Sequence, residues 1–218
     1  MSSKPLSQCR LYTFIDTAYL QGRDIVSLAH QLCDGGSDLI QLRAKGSPLE
    51  RVEAMAEMLL PVLRAAGVGL VINDHLEVAA RVGAPLCHLG QEDFFDQGHT
   101  HRQELGSPGN SVLLGLSTHA PEQALRGLRA GADYLAVGPV YATPTKPSAK
   151  AVTLDYVRWA AKEIPIPWFA IGGITLKTLD AVLDVGARRI CVVSAILNAP
   201  DVAKACLEFS ERLRSAPL

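Results

Sequence analysis

The sequence has almost no net charge, and it lacks long apolar runs. Its 21 basic and 22 acidic residues leave a formal net charge of −1, so no global field attracts nucleic acid or an anionic membrane. No stretch approaches the roughly 18 consecutive apolar residues of a membrane span, and residues 1–10 contain no apolar core of a secretory signal. We therefore expect a cytoplasmic chain with neither nucleic acid nor a membrane as partner.

The sequence also lacks cysteine pairs with redox or metal-binding spacing. Its five cysteines, at positions 9, 33, 87, 191 and 206, include no CxxC motif and no His/Cys cluster. Several lie inside apolar runs, which favours small buried hydrophobes over disulfides or zinc ligands.

What is present suits one globular domain. The 218 residues are 48% hydrophobic and 20% charged, and α/β barrels commonly have roughly 200–250 residues as one unit. We expect a single domain over residues 1–218, and a homo-oligomer is compatible with the sequence.

Eight short apolar runs alternate with segments of helical spacing, which is typical of repeated βα units and a parallel sheet. Glycines such as Gly67, Gly83, Gly131 and Gly186 follow the helical segments, as expected of helix ends. The pattern predicts a (β/α)8 TIM barrel of eight parallel strands with outer helices, and an open doubly wound sheet is the alternative. The predicted strands are Leu11–Ile15, Leu39–Arg43, Gly69–Ile72, Leu86–Leu89, Val112–Leu116, Tyr134–Val137, Trp168–Ile171 and Ile190–Val193.

Polar residues follow the predicted strands, where barrel enzymes carry their chemistry. After strand two, Gln41 and Arg43 share one face and Lys45 lies beyond them, so Arg43 and Lys45 suit a phosphate clamp. The alternative is a pair of solvated surface charges. Asp74 and Asp93 follow strands three and four, where two carboxylates suit a hard divalent cation such as Mg²⁺, although each aspartate could instead cap the next helix.

Three later segments also carry polar groups. Strand six precedes Gly138-Pro139-Val140-Tyr141-Ala142-Thr143-Pro144-Thr145-Lys146, which offers hydroxyl donors and a charge but is not a Walker P-loop. Ser117, after strand five, suits either a phosphate contact or a helix cap. Gly172, Gly173 and Ser194, after strands seven and eight, indicate a second anion position. The irregular segment from Phe94 to Asn110 predicts a short helix and a mobile flap.

Taken in order on successive strands, the motifs QLRxK, ND, HxGQxD, GxSTH, GPxxxTPTK, AIGGI and VVSAI resemble the thiamine phosphate synthase family over about residues 11–197. The resemblance implies a barrel transferase of thiamine biosynthesis. Such an enzyme joins a hydroxymethylpyrimidine diphosphate to a thiazole phosphate and releases pyrophosphate, with Mg²⁺ as cofactor.

The resemblance also implies residue roles. Gln41 and Asn73 would contact the pyrimidine. The diphosphate would be held by Arg43, Lys45, Ser117 and Lys146, and the metal by Asp74 and Asp93. Thr143 and Thr145 would line the thiazole side. The thiazole phosphate would be held by the backbone of Gly172, Gly173, Val193 and Ser194. A diphosphate of roughly −3 with two aspartates is then balanced by about +5 from Mg²⁺ and three cationic side chains.

Two positions depart from the commonest family pattern. Ala44 stands where an acidic residue is frequent, and His75 stands where arginine is frequent. Two other functions stay open: a thiazole tautomerase that uses His119 as acid or base, and a non-catalytic barrel that senses a phosphorylated metabolite. If the protein is not a tautomerase, we expect His119 to hydrogen-bond to the backbone at the start of a helix. We expect His88 to be buried, with its polar atoms hydrogen-bonded.

Overall fold

The computed structural model of the chain describes residues 4–106, 111–143 and 151–216. Eight parallel strands pair in chain order, and the last closes on the first to complete a barrel. This confirms the predicted TIM barrel and excludes the open sheet. The strands are β1 (Leu11–Asp16), β2 (Leu39–Arg43), β3 (Gly69–Asn73), β4 (Leu86–Gly90), β5 (Leu113–Thr118), β6 (Tyr134–Val137), β7 (Trp168–Ile171) and β8 (Ile190–Cys191).

Helices follow the strands and cover the barrel. In the described ranges they are α1 (Ile25–Asp34), α2 (Leu49–Ala66), α3 (Leu76–Val82), α4 (Gln91–Asp96), α5 (Pro121–Arg129), α6 (Thr153–Glu163), α7 (Leu179–Asp184), α8 (Ser194–Leu197) and α9 (Val202–Ser215). Short 3₁₀ helices span Leu6–Gln8, Thr17–Tyr19 and Arg102–Leu105. Among the described helices, none combines the length and the apolar character that a membrane crossing requires.

Helix α2 illustrates how the sequence determines these elements. Its buried residues recur with helical spacing on one face, which packs on the barrel. The helix ends at Gly67, whose φ of 71° is left-handed and whose N–H returns to the Arg64 carbonyl. Gly83 ends α3 in the same conformation. The predicted role of these glycines as helix ends is confirmed.

Aromatic rings fill the interior of the barrel. Tyr12 stacks on Phe14 at 5.3 Å between ring centroids and meets Phe169 edge-on at 5.4 Å. The Tyr134 ring lies over Gly115, where an added Cβ would be 2.1 Å from Tyr134 Cζ. The barrel is therefore a packed core, and space for ligands remains at the carboxyl ends of the strands.

All five cysteines are free thiols, and four of them are buried. Burial raises the pKa of Cys9 to about 12 and that of Cys206 to about 11. Their predicted role as small apolar side chains is confirmed.

The segment after β4 contains the six-residue α4 and the 3₁₀ helix Arg102–Leu105, as the composition predicts. Arg102 attaches this segment to the barrel, because its N–H donates to the Ala130 carbonyl at 2.9 Å and its guanidinium donates to the Val112 carbonyl at 2.8 Å. Residues 107–110 lie outside the described ranges, and a closing flap stays a prediction.

Candidate active site

A cavity of about 480 Å³ opens at the carboxyl ends of the strands, and all eight strands or the loops after them contribute to its wall. Twelve of the site residues predicted from the sequence line it: Gln41, Arg43, Lys45, Asn73, Asp74, Asp93, Ser117, Thr143, Gly172, Gly173, Val193 and Ser194. Thr145 and Lys146 lie outside the described residues. The predicted positions thus converge on one cavity.

Arg43 reaches this cavity with its guanidinium already paired. Its Nη1 donates to Asp16 Oδ2 at 2.7 Å, and the Asp16 side chain is only 1% exposed. The alternative of a solvated surface charge is therefore wrong for Arg43. Sequence reasoning missed Asp16, although a carboxylate directly after the apolar run Leu11–Ile15 was the available signal.

Lys45 and Asp74 form a second ion pair at the rim, with Nζ 2.9 Å from Oδ2. Asp74 has a φ of +65°, a left-handed conformation that is uncommon outside glycine, and its N–H donates to the His88 carbonyl at 2.9 Å. No side chain caps α3, so the capping alternative is wrong for Asp74. The strained backbone directs its carboxylate to the rim instead.

Asp93 lies in the first turn of α4 and folds back over Gly90, which ends β4. A Cβ added at Gly90 would be 2.5 Å from Asp93 Oδ2, so the carboxylate occupies the space that only glycine leaves. No side chain caps α4, whose N-cap is Gly90. The capping alternative is therefore wrong for Asp93 as well. Within the described residues, no group of three or more His, Cys, Asp and Glu side chains is suited to hold a metal.

The floor of the cavity is polar but enclosed. Gln41 Nε2 donates to the Tyr12 hydroxyl at 2.5 Å, and both residues line the cavity. His88 lies beside them, and its Nδ1 has no hydrogen-bond partner in the described structure. The expectation of a satisfied histidine is therefore wrong. Desolvation lowers the pKa of His88 to about 4, despite the opposing charge of Asp74, so its ring is neutral at pH 7.

Beyond β5, Ser117 lines the cavity while its neighbours have structural partners. Thr118 donates to the Ala136 carbonyl at 2.9 Å and accepts from the Tyr156 hydroxyl at 2.7 Å. Helix α5 has no side-chain cap, so the capping alternative is wrong for Ser117. His119 Nδ1 bonds the Gly138 carbonyl, which confirms the expected backbone contact, and its Nε2 is 3.8 Å from Glu92 Oε1.

Gly172 and Gly173, which follow β7, form a wall of the cavity where the loops after β6 and β7 approach closely. Their φ angles are +102° and +64°, and a Cβ on Gly173 would be 2.6 Å from the Ala142 carbonyl oxygen. The Tyr141 N–H donates to the Gly172 carbonyl at 3.0 Å, which holds the β6 loop against the β7 loop. The N–H groups of Gly173 and Ser194 donate to no group of the described chain, and both residues face the cavity.

A barrel that gathers cationic side chains, a carboxylate pair and unengaged backbone amides at its carboxyl end belongs to the class of enzymes that act on phosphorylated small molecules. Residues 11–196 match the thiamine monophosphate synthase family. The chain is 49% identical over 180 residues to a thiamine-phosphate synthase of Thermus thermophilus, which covers 82% of this chain and 84% of that protein. It is 40% identical over 213 residues to one of Acidothermus cellulolyticus, which covers 97% of this chain and 98% of that protein.

A solved structure agrees. The thiamine phosphate pyrophosphorylase of Pyrococcus furiosus has a TM-score of 0.84 with this chain, 27% identity, and coverage of 98% of this chain and 99% of that one. The chain belongs to the thiamine monophosphate synthase family. Its activity is that of a transferase, which moves a pyrimidinylmethyl group with release of pyrophosphate, so its substrates are small molecules. This assignment replaces the tautomerase and sensor alternatives.

Proposed function

We propose that the two halves of the cavity hold the two substrates, 4-amino-2-methyl-5-hydroxymethylpyrimidine diphosphate and 4-methyl-5-(2-phosphoethyl)thiazole. The observation that carries this proposal is the convergence of two anion positions and a carboxylate pair on one cavity. A reaction between a diphosphate and a monophosphate substrate requires this combination.

The diphosphate half consists of Arg43, Lys45 and Ser117, with Lys146 added from the sequence. The Arg43 guanidinium offers several N–H donors to phosphate oxygens, while Lys45 supplies a point charge and Ser117 a hydroxyl donor. Arg43, Lys45 and Ser117 all line the cavity, which supports binding of a dianionic or trianionic group there.

Asp74 and Asp93 are the proposed Mg²⁺ ligands. Two carboxylates at neighbouring strand ends suit an ion that keeps water and phosphate oxygens as its other ligands, and the cradle that Gly90 leaves for Asp93 supports the fit. When bound, Mg²⁺ supplies positive charge against the departing pyrophosphate. Lys45 now contacts Asp74, and this exposed pair exchanges partners at little cost.

The pyrimidine ring is proposed to lie over the floor. Gln41 and Asn73 present side-chain amides there, and the hydrogen bond from Gln41 to Tyr12 fixes the amide orientation. Neutral His88 adds an imidazole without repelling a cationic ring. The enclosed floor also excludes water from the reacting carbon.

The thiazole phosphate is proposed to occupy the other half. The backbone of Gly172, Gly173, Val193 and Ser194 would hold the phosphate, because N–H groups without partners are suited to an anion. Thr143 lines the cavity beside them, and Thr145 belongs to the same proposed subsite on sequence grounds.

The chemistry then needs no protein nucleophile and no general base. The bond from the pyrimidinylmethyl carbon to the diphosphate oxygen breaks, and both bonding electrons leave with pyrophosphate. The resulting cation is delocalised over the aminopyrimidine, and the thiazole nitrogen donates its lone pair to form the new C–N bond. The protein contributes positioning and electrostatic stabilisation of the leaving group.

The activity test mixes the purified protein with both substrates and Mg²⁺ and follows pyrophosphate and thiamine phosphate. We expect stoichiometric release of the two products. Asp93→Ala should lower kcat by on the order of 10² because it removes charge stabilisation of the leaving group. Asp96→Ala, at the far end of α4, is the control and should keep wild-type rates. If Asp93→Ala also keeps them, the carboxylate pair is not the metal site.

A further inference from the structure

We propose that Asp16 is a positioning residue that holds the Arg43 guanidinium in the orientation that receives the diphosphate. The inference rests on the proposed role of Arg43. It adds a residue that touches no substrate, since Asp16 does not line the cavity that Arg43 lines.

The barrel register brings the two side chains together. Asp16 and Arg43 are paired neighbours at the carboxyl ends of β1 and β2, and Nη1 donates to Oδ2 at 2.7 Å. Asp16 is 1% exposed and Arg43 is 23% exposed. The ion pair therefore has a buried carboxylate at one end and a guanidinium that reaches the cavity at the other.

The carboxylate is itself anchored to backbone. Its Oδ1 accepts from the Ala18 N–H at 3.0 Å at the start of the 3₁₀ helix Thr17–Tyr19. Arg23 fixes this turn, because its Nη2 donates both to the Tyr19 carbonyl at 2.5 Å and to the Leu197 carbonyl at 2.8 Å. Asp16 thus cannot follow a moving arginine, and it restrains the guanidinium instead.

Arg43 lines the cavity that a ligand would enter. In the described part of the chain, the contact with Asp16 is the hydrogen bond that the structure gives to this guanidinium. One edge is held and the others are left for phosphate oxygens, which limits the rotamer freedom that binding would otherwise remove.

Asp16 also opposes anion binding, because it adds a negative charge near the diphosphate. With Asp16 included, the balanced count of the site changes from about zero to about −1. Two effects of its removal therefore have opposite signs: lost positioning weakens pyrophosphate binding, and lost charge strengthens it. The proposal is that lost positioning is the larger effect.

The test measures binding of inorganic pyrophosphate with Mg²⁺ by calorimetry, together with steady-state kinetics and thermal unfolding. The variants are Asp16→Ala, Arg43→Ala and the double variant. Asp180→Asn is the control, because it breaks the exposed ion pair between Arg212 and Asp180 on the outer helices. It should bind and turn over as the wild type does.

We expect Asp16→Ala to weaken pyrophosphate binding and to lower kcat by about tenfold or more, with the KM for the thiazole phosphate unchanged. In the Arg43→Ala background the same change should have less than about a twofold effect, because the two residues act as one unit. Asp16→Asn keeps one oxygen acceptor, which can serve either the Ala18 N–H or the Arg43 guanidinium but not both, so it should recover only part of the loss. It also carries the comparison if Asp16→Ala does not fold.

Three results separate the possible failures. Wild-type pyrophosphate affinity in Arg43→Ala would overturn the proposed function of Arg43. Weak binding by Arg43→Ala with unchanged or tighter binding by Asp16→Ala would overturn the positioning role alone. Equal losses from Asp16→Ala in both backgrounds would show a general structural role and overturn it as well.

Discussion

Replacing Gly173 by alanine tests whether the glycine pair shapes the thiazole half of the cavity. Gly173 has a φ of +64°, and its missing side chain leaves room for the β6 loop. An added Cβ would be 2.6 Å from the Ala142 carbonyl oxygen and 2.7 Å from Tyr141 Cβ. Both contacts belong to the loop that leads to Thr143, so relief of the clash moves that loop.

The expected magnitude has two parts. Placing a Cβ at left-handed φ costs about 1 kcal/mol, and forcing it against backbone that is already packed costs about 1–3 kcal/mol more. We therefore expect Gly173→Ala to lower the free energy of unfolding by about 2–4 kcal/mol. Displacement of the loop should raise the KM for the thiazole phosphate by about tenfold, equivalent to about 1.4 kcal/mol.

Gly67→Ala is the matched control. Gly67 has nearly the same φ, +71°, at the end of α2, but an added Cβ there meets no atom within 4 Å. It should lose about 1 kcal/mol of unfolding free energy and keep wild-type kinetics. Urea denaturation and initial rates measure both variants, and equal stability losses in the two would refute the packing argument.

Two further predictions concern the floor and the metal side. Asp74→Gly removes the strain of a φ of +65°, so it should be about 1 kcal/mol more stable than Asp74→Ala in urea, while both variants lose Mg²⁺-dependent turnover. Equal stability would contradict the strain. Burial lowers the pKa of His88 to about 4 from 6.5. As the pH decreases, the His88 imidazole is therefore protonated in the unfolded chain before it is protonated in the folded chain. The free energy of unfolding should fall as the pH decreases from about 6.5 to 4. The contribution is at most about 3 kcal/mol, reduced by water in the cavity. In His88→Phe, the free energy of unfolding should depend less steeply on pH over this range. If the pH dependence is unchanged, it arises from other titratable groups.

The fold could be predicted from sequence because its signals are local. Each strand is an apolar run bounded by turn residues, and glycines such as Gly67 and Gly83 end helices in the conformation they favour. The bounds shifted by only one or two residues, as when β5 begins at Leu113 rather than Val112. Alternation of eight such units leaves few topologies other than a closed barrel.

The site was predicted less completely, because the contacts between its side chains depend on how neighbouring strands are aligned. The sequence identified polar residues after strands two to eight, but the contact of Asp16 with Arg43 follows from the alignment of β1 with β2. Whether His88 Nδ1 finds a hydrogen-bond partner depends on which side chains the other strands place at the cavity floor, and in the described structure it has none. Neither relation is encoded in the spacing of the residues involved.

The two cationic side chains of β2 and its loop therefore differ in a way that their residue types do not reveal. Lys45 is 55% exposed and its partner Asp74 is 28% exposed, so this pair is weak and separates easily. The partner of Arg43 is almost fully buried, and a buried carboxylate that loses its cation is strongly destabilised. With the roles proposed above, Arg43 should therefore keep Asp16 when a diphosphate binds, whereas Lys45 should exchange Asp74 for the substrate. The carboxylate that becomes free is one of the two proposed for Mg²⁺, so diphosphate and metal binding should favour each other.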